Sequence, residues 1–255
     1  MTDAAPHVPL TVKIGGIAGQ HAGTLSIVAD RAPVDTVVVH GGGTEVADWS
    51  RRLGLEPRSH DGLRVTDPDT LEVAVGVLGG LVNTRLVAAF AAAGRPAVGL
   101  TGADGSLLRI RRRDPELGEV GEILEVDPTL LSALTASGLL PVVASIGADA
   151  AGALLNINAD EVAGAVAAAR GGLLLLCTDV EGVLRDDALL DELDAATAER
   201  MLEDGSASSG MRPKLRAALV AARAGCEVHV IDGRSPDVME RALRGEAAGT
   251  KVTAA

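Results

Sequence analysis

Residues 37–43 read VVVHGGG, from Val37 to Gly43, and the order of residue types there decides how the rest of the chain is read. Three β-branched residues in succession suit a strand buried on both faces, and three glycines straight after it let the backbone approach a ligand closely. The helical spacing of Val46, Trp49 and Leu53 then sets those glycines between a strand end and a helix start, where open N–H groups bind anions. A single loop of this kind is more often a plain tight turn. The N-terminal stretch TVKIGG repeats the device, with Leu10 to Ile14 alternating as a strand that runs into Gly15 and Gly16. Lys13 inside it is costly to bury unless its ammonium reaches water at a sheet edge or an anion at the strand's end. A helix over 20–31 lies between the two strands. Strand, helix, strand means a parallel pair with a right-handed crossover, and both loops then share the sheet edge where open α/β folds bind ligands.

Composition narrows the function. The 255 residues carry a formal net charge of −12 and are 47% apolar, enough for a large α/β core and the wrong sign for an electrostatic nucleic-acid binder. Only two large aromatics, Trp49 and Phe90, are present, which argues against base stacking. Cys177 and Cys226 lie in apolar runs without metal spacing and read as reduced core thiols of a cytoplasmic protein. The N-terminus has no signal-peptide core, and no apolar run is expected to reach membrane-spanning length.

Further along, Asp61 to Asp67 is a hairpin-like segment carrying Arg64, whose guanidinium can hold a carboxylate through two parallel hydrogen bonds or stand solvated. A long helix follows over 67–92, with Leu71, Val75, Leu78, Val82 and Leu86 on one stripe and Gly76, Gly79 and Gly80 beside it; this face suits a partner helix or the protein's own core. A strand at 96–100, an antiparallel hairpin from 107–113 and 119–126, a helix at 128–137, a strand at 140–145 and a turn IGADAAG come next. RIRRR at 109–113 reads as an exposed strand face. In NINAD (156–160), Asn158 can cap the next helix and Asp160 suits its first turn. The apolar strand GLLLLCTD ends in Thr178 and Asp179, a polar connector spans 185–194, and the loop GSASSGMRPK leads through Pro213 into a helix with Lys214 in its first turn. A strand at 226–232 and a helix at 236–243 precede the terminal GTK. GEAAGTK ends Gly-Thr-Lys, not Gly-Lys-Thr, so it is not a Walker A loop, and no GxGxxG occurs.

In this order and spacing, TVKIGG, VVVHGGG, DGLRVTD, AVGLTGADG, NINAD, LLCTDVEGV, SGMRPK, VHVIDGR and GTK resemble the N-acetylglutamate kinases of the amino acid kinase family, over roughly residues 10–252. The resemblance implies a three-layer α/β/α sandwich around a mainly parallel sheet. It implies an acceptor lobe over 1–170 that carries the dimer helix, and a nucleotide lobe over 171–255. Lys13 and Lys214 match the lysines that embrace the transferred phosphoryl group, and Asp160 the carboxylate that orients both. Gly15, Gly16, Gly42 and Gly43 match the phosphate and acceptor loops, and Arg64 and Asn156 the residues that hold acetylglutamate. Thr178, Asp179, Gly210 and Met211 fall where the family lines its nucleotide site. ATP is expected with Mg2+ held through its phosphates, so no metal ligand is named.

Thr84, where the family often has lysine, Ser209, where it often has glycine, and the short polar connector depart from the pattern. About nine residues precede the first strand, so an arginine-insensitive homodimer seamed by the 67–92 helix is expected, with no nucleic-acid or membrane partner. Two alternatives stand beside this: a kinase for aminoadipate or glutamate on an acidic carrier protein, for which RIRRR would serve, and a non-catalytic nucleotide or amino-acid binding protein.

Overall fold

Val37, Val38 and Val39 have no exposed surface, because their strand lies in the middle of a sheet covered by helices on both faces. The computed structural model describes residues 8–15 and 22–255. In chain order the first half comprises β1 (Leu10–Ile14), α1 (Ala22–Arg31), β2 (Thr36–His40), α2 (Gly43–Arg52), β3 (Arg58–His60), β4 (Leu63–Val65), α3 (Pro68–Ala74), a π-helical segment (Val75–Val82), α4 (Asn83–Ala92), β5 (Ala97–Thr101), β6 (Leu108–Arg112) and β7 (Gly121–Val126). Then come α5 (Thr129–Ala136), β8 (Leu140–Ala144), β9 (Ile146–Ala148), β10 (Leu154–Asn156), α6 (Ala159–Arg170), β11 (Leu173–Thr178), β12 (Leu184–Arg185) and β13 (Ala188–Leu189). The chain closes with β14 (Glu192–Asp194), α7 (Ala195–Glu203), α8 (Met211–Arg223), β15 (Glu227–Asp232), α9 (Pro236–Leu243) and β16 (Thr250–Thr253).

The main sheet has eight strands in the order β14-β16-β15-β11-β1-β2-β8-β5. Every pairing from β15 to β5 is parallel; β16 runs antiparallel to β15 and parallel to β14. Side chains alternate across each strand, so Val37 and Val39 join the apolar layer beneath α6 and α8, while Val38 joins the layer formed with α1, α4 and α9. Each of these fully buried aliphatic side chains contributes about 1.5–3 kcal/mol. The α6–α8 pair is held close by Gly164, where a Cβ would lie 2.7 Å from the Ala217 carbonyl oxygen. The result is the expected three-layer α/β/α sandwich. The sheet is continuous across residue 170, since β1 pairs directly with β11.

Several local expectations need correction. IGADAAG is not a plain turn: Ile146–Ala148 and Leu154–Asn156 pair as an antiparallel hairpin. The connector after Gly182 contains the small β12–β13 hairpin and β14, and the terminal GTK lies at the start of β16; β14 and β16 close the sheet edge. Of the predicted stripe of the 67–92 helix, Leu78 and Leu86 are buried and Val75 and Val82 pack half-buried on the core, but the middle turns are π-helical and Asn83 is turned in beyond them. Pro68–Ala92 is also long and apolar enough to cross a membrane by length and composition, against the sequence expectation; a third of its most apolar window is buried inside the fold, where Ala74, Val77 and Leu78 pack on Val46 and Ile146.

Candidate active site

Four adjacent parallel strands end on one cleft of about 590 Å³: β11 through Thr178 and Asp179, β1 through Gly15, β2 through Gly41 to Gly43, and β8 through Ser145. Helices α2, α6 and α8 begin at its wall, with Gly43, Asp160 and Gly210 among the lining residues. The first N–H groups of a helix lack intrahelical acceptors. In α6 Asn158 caps them and in α8 the Met211 and Arg212 amides donate to the Ser208 carbonyl, so the end left receptive to an anion is that of α2, which no side chain caps.

On the cleft floor the structure brings Lys13, Asp160 and Lys214 together. Lys13 Nζ is 2.9 Å from Asp160 Oδ1 and Lys214 Nζ is 3.2 Å from Oδ2, so each lysine takes one oxygen of a single carboxylate. Asp160 is 5% exposed and Lys13 6%, which makes these charge contacts desolvated ones. Local sequence sets the geometry. Asn158 caps α6 by accepting from the Asp160 and Glu161 amides at 2.9 and 3.2 Å, fixing the carboxylate in the first turn, and Lys214 projects from the first turn of α8. Glycine at 15 leaves room for that contact, since a Cβ there would lie 2.5 Å from Lys13 Nζ and displace the ammonium.

Burial alone would push the Asp160 carboxyl up, but the charges of Lys13 and Lys214 outweigh it and hold the group below the usual carboxylate range. Burial, together with the like charge of Lys13, lowers the Lys214 ammonium from its ordinary value. Cys177 lines the same floor; burial pushes its thiol up to about 12, so it stays neutral and unreactive.

On the other wall Arg64, from β4, donates through Nη2 to the Gly43 carbonyl oxygen at 2.6 Å, which ties the β3–β4 hairpin to the glycine loop. Burial, with the nearby charge of Arg51, lowers the Arg64 guanidinium from its ordinary value. Asn156, at the end of β10, lines the cleft and donates through Nδ2 to Thr66 Oγ1 at 3.2 Å. Gly42 lies against the helix behind, where a Cβ would meet Leu78 Cδ2 at 2.8 Å. Thr178 Oγ1 donates to Asp179 Oδ1 at 3.2 Å. Of the residues singled out in the sequence, Met211 is not among those lining the cleft; it is half-buried and packs on the core beneath α8. Gly16 lies outside the described residues.

The cleft also holds residues to which the sequence reading gave no binding role. Ser145, Thr44, Arg58 and Ser59 line it, and Asn158 does so as well as capping α6. Ser145 was findable, since it ends a strand in a sheet whose neighbouring strands each contribute their last residues to the site. Among the ionised side chains lining the cleft, the cations Lys13, Arg58, Arg64 and Lys214 outnumber the carboxylates Asp160 and Asp179, against the sign of the whole protein. The arrangement can bring two anionic groups together and stabilise charge that develops between them.

The chain belongs to the amino acid kinase family, whose sequence model matches residues 12–232. Its relatives within the family include acetylglutamate kinases: that of Methanopyrus kandleri is 44% identical over 86% of this chain and 93% of its own length. That of Solibacter usitatus is 41% identical over 96% and 99% of the two chains. A solved protein from Streptococcus mutans UA159 superposes with a TM-score of 0.83 at 26% identity, covering 96% of this chain and 98% of that one.

Proposed function

We propose that the protein transfers the γ-phosphoryl group of ATP to the γ-carboxylate of N-acetyl-L-glutamate, the acyl phosphate step of arginine biosynthesis. The observation that carries this is the buried Lys13–Asp160–Lys214 cluster between two glycine loops, in a chain over 40% identical to acetylglutamate kinases along most of its length. The acceptor carboxylate is ionised at neutral pH, so no general base is needed. The task left to the protein is to overcome repulsion between two anions. Lys13 and Lys214 place positive charge on either side of the moving phosphoryl group, and Asp160 holds both ammonium groups in position. The amides of Gly15, Gly42 and Gly43 supply further donors to the spreading charge. Arg64 and Asn156 hold the acceptor; Thr178, Asp179 and Gly210 border the nucleotide. Met211 supports that border from behind.

The nucleotide brings Mg2+, which in this reading is held through its phosphates. Asp160 is a poor ligand for it, because a divalent cation there would face two ammonium groups. In this reading residues 1–170 form the acceptor half and residues 171–255 the nucleotide half. In the same reading the protein is a cytoplasmic homodimer joined through the Pro68–Ala92 helix, whose apolar surface is only partly used within one chain. The carrier-protein alternative loses its support: Arg109, Arg111, Arg112 and Arg113 are paired with Glu125, Glu122, Glu119 and Glu161, which leaves no basic rim there for an acidic partner.

Hydroxylamine trapping tests the function. With ATP, Mg2+ and N-acetyl-L-glutamate the protein should form hydroxamate, and with glutamate, aspartate or N-acetylaspartate it should form little. Absence of hydroxamate from every free amino acid would reject the proposal.

A further inference from the structure

A second polar cluster lies directly behind the Gly41–Gly43 loop, on the opposite face of the sheet from Lys13. His40, the last residue of β2, and Asn83, the first of α4, are both buried. His40 Nδ1 is 2.9 Å from the Gly41 carbonyl oxygen and Nε2 is 3.0 Å from Asn83 Nδ2, which also donates to the Val142 carbonyl oxygen at 2.8 Å. Chemistry fixes every proton. Carbonyl oxygens only accept, so Nδ1 carries the ring proton and the Asn83 nitrogen is the amide NH2; Nε2 is left as a bare acceptor on a neutral ring.

Two further features of the chain serve this arrangement. The π-helical segment closes with the Asn83 amide bonded to the Leu78 carbonyl, an i to i−5 bond, and this turns Asn83 inward. Glycine stands at 99 in the neighbouring strand, where a Cβ would lie 1.9 Å from Asn83 Oδ1. A helix irregularity, a glycine and a buried amide all converge on one imidazole.

We propose that His40 and Asn83 are positioning residues for phosphoryl transfer: they turn the Gly41 carbonyl into the core and so aim the Gly42 N–H at the transferred group. Among the described residues no peptide bond is cis, and in a trans peptide C=O and N–H point in opposite directions. His40 holds the carbonyl on the side of α4. The partner N–H of the same peptide therefore points to the other side, where Gly42 lines the cleft with Lys13 and Asp160. With that peptide flipped, a carbonyl oxygen would face the phosphoryl group and repel it. This inference rests on the phosphoryl-transfer reading above.

Two substitutions separate aiming from packing. His40→Asn keeps a donor at the δ position, within reach of the Gly41 carbonyl, and loses the acceptor for Asn83. His40→Gln keeps an acceptor at the ε position for Asn83 and loses the donor to Gly41. Expected is a loss of kcat of about tenfold to a hundredfold in His40→Gln, with KM for ATP changed less than about threefold, because a transition-state donor is misaimed while the nucleotide still binds. His40→Asn should keep kcat within about fivefold of the parent even where its melting temperature falls as far. Turnover that follows melting temperature across both variants, or a larger loss in His40→Asn, overturns the proposal. Imidazole nitrogen NMR of the parent protein at neutral pH gives an independent reading: a neutral ring protonated on Nδ1 is required, and the Nε2–H tautomer refutes the hydrogen-bond assignment. A parent that forms no acyl phosphate defeats the function proposed above, and the NMR result still decides whether His40 holds the loop.

Discussion

Replacing Asp160 by asparagine should be the most damaging single change to the site, and the two damages it causes can be separated. The side chain keeps its size but loses the charge that two buried ammonium groups share at 2.9 and 3.2 Å. At an effective dielectric of about 20, each contact is worth roughly 5 kcal/mol of gross Coulomb energy. Desolvation offsets much of that, and breaking a buried pair by removing one partner costs about 3–5 kcal/mol net. For a chain of this size each kcal/mol lowers Tm by about 2–4 °C, so Asp160→Asn should melt about 6–20 °C below the parent near pH 7. The sign of the pH dependence follows from the lysines. They hold the folded carboxyl below its ordinary 3.8, so its stabilisation is present above about pH 4 and is lost as pH falls through the lowered folded value. The gap in Tm between parent and variant should therefore close in acid. Adding Lys214→Met to Asp160→Asn removes one uncompensated ammonium and should restore part of the lost Tm without restoring turnover. Thermal melts at several pH values, run beside the hydroxamate assay, give both readings. A variant that melts within about 2 °C of the parent at pH 7 would refute the claim that the carboxylate compensates two buried charges.

Lys214→Ala should lower turnover about a hundredfold or more with the fold intact, and full activity would remove Lys214 from the mechanism. Because burial and the charge of Lys13 lower the Lys214 ammonium, the alkaline limb of kcat against pH should lie below the ordinary lysine value of 10.5, with activity falling as the proton is lost. Arg64→Lys should raise KM for acetylglutamate about tenfold with a smaller change in kcat, since a point charge cannot hold both Gly43 and a two-pronged carboxylate; an unchanged KM would reject that role. Gly62→Ala should raise KM for both substrates, because φ is +78° at the hairpin tip and a Cβ would lie 2.2 Å from the Ser209 carbonyl oxygen in the loop before α8; unaltered kinetics would show that this contact carries no function. Gly80→Glu should give a monomer in sedimentation velocity, since nothing within 4 Å meets a Cβ there in one chain while a charge would spoil an apolar seam; a persistent dimer would place the seam elsewhere.

The parts of the fold that the sequence made legible are those where one pattern suffices. Val37 to Val39 are β-branched and followed by glycines, which suits a doubly covered strand with an open end, and the structure has that strand inside the sheet, between β1 and β8. The RIRRR face was legible because its apolar Ile110 alternates inward between charged neighbours, and it lies buried there. Apart from the β3–β4 hairpin, whose segment was read as hairpin-like, strands of two or three residues were not legible. Ile146–Ala148 and Glu192–Asp194 are too short for alternation, and β14 joins the sheet on the strength of one buried residue, Leu193. Glycine and aspartate around them signal turns, and the turn signal dominates in so short a window. For the site, lysines on β1 and α8 and a carboxylate on α6 each had an ordinary local explanation. Only the tertiary fold makes one carboxylate common to both lysines.

The Pro68–Ala92 helix shows where apolar spacing failed and what that concealed. Apolar spacing placed Leu71, Val75, Leu78, Val82 and Leu86 on one stripe, which assumes 3.6 residues per turn throughout. Leu78 and Leu86 are buried as that spacing expects, but the other buried positions are Thr70, Ala74 and Val77, then Asn83 and Phe90. From Leu78 a regular helix turns Val82 inward four residues on; the π-helical turn takes five and turns in Asn83. A reading based on hydrophobicity rejects that register because it buries an amide. The register is tolerated because His40 and the Val142 carbonyl satisfy the amide and Gly99 makes room for it. The five-residue turn from Leu78 and the buried polar residue are thus one feature: the helix gives up its regular hydrogen bonding where the sheet presents a histidine from VVVHGGG, the same stretch that defines the fold.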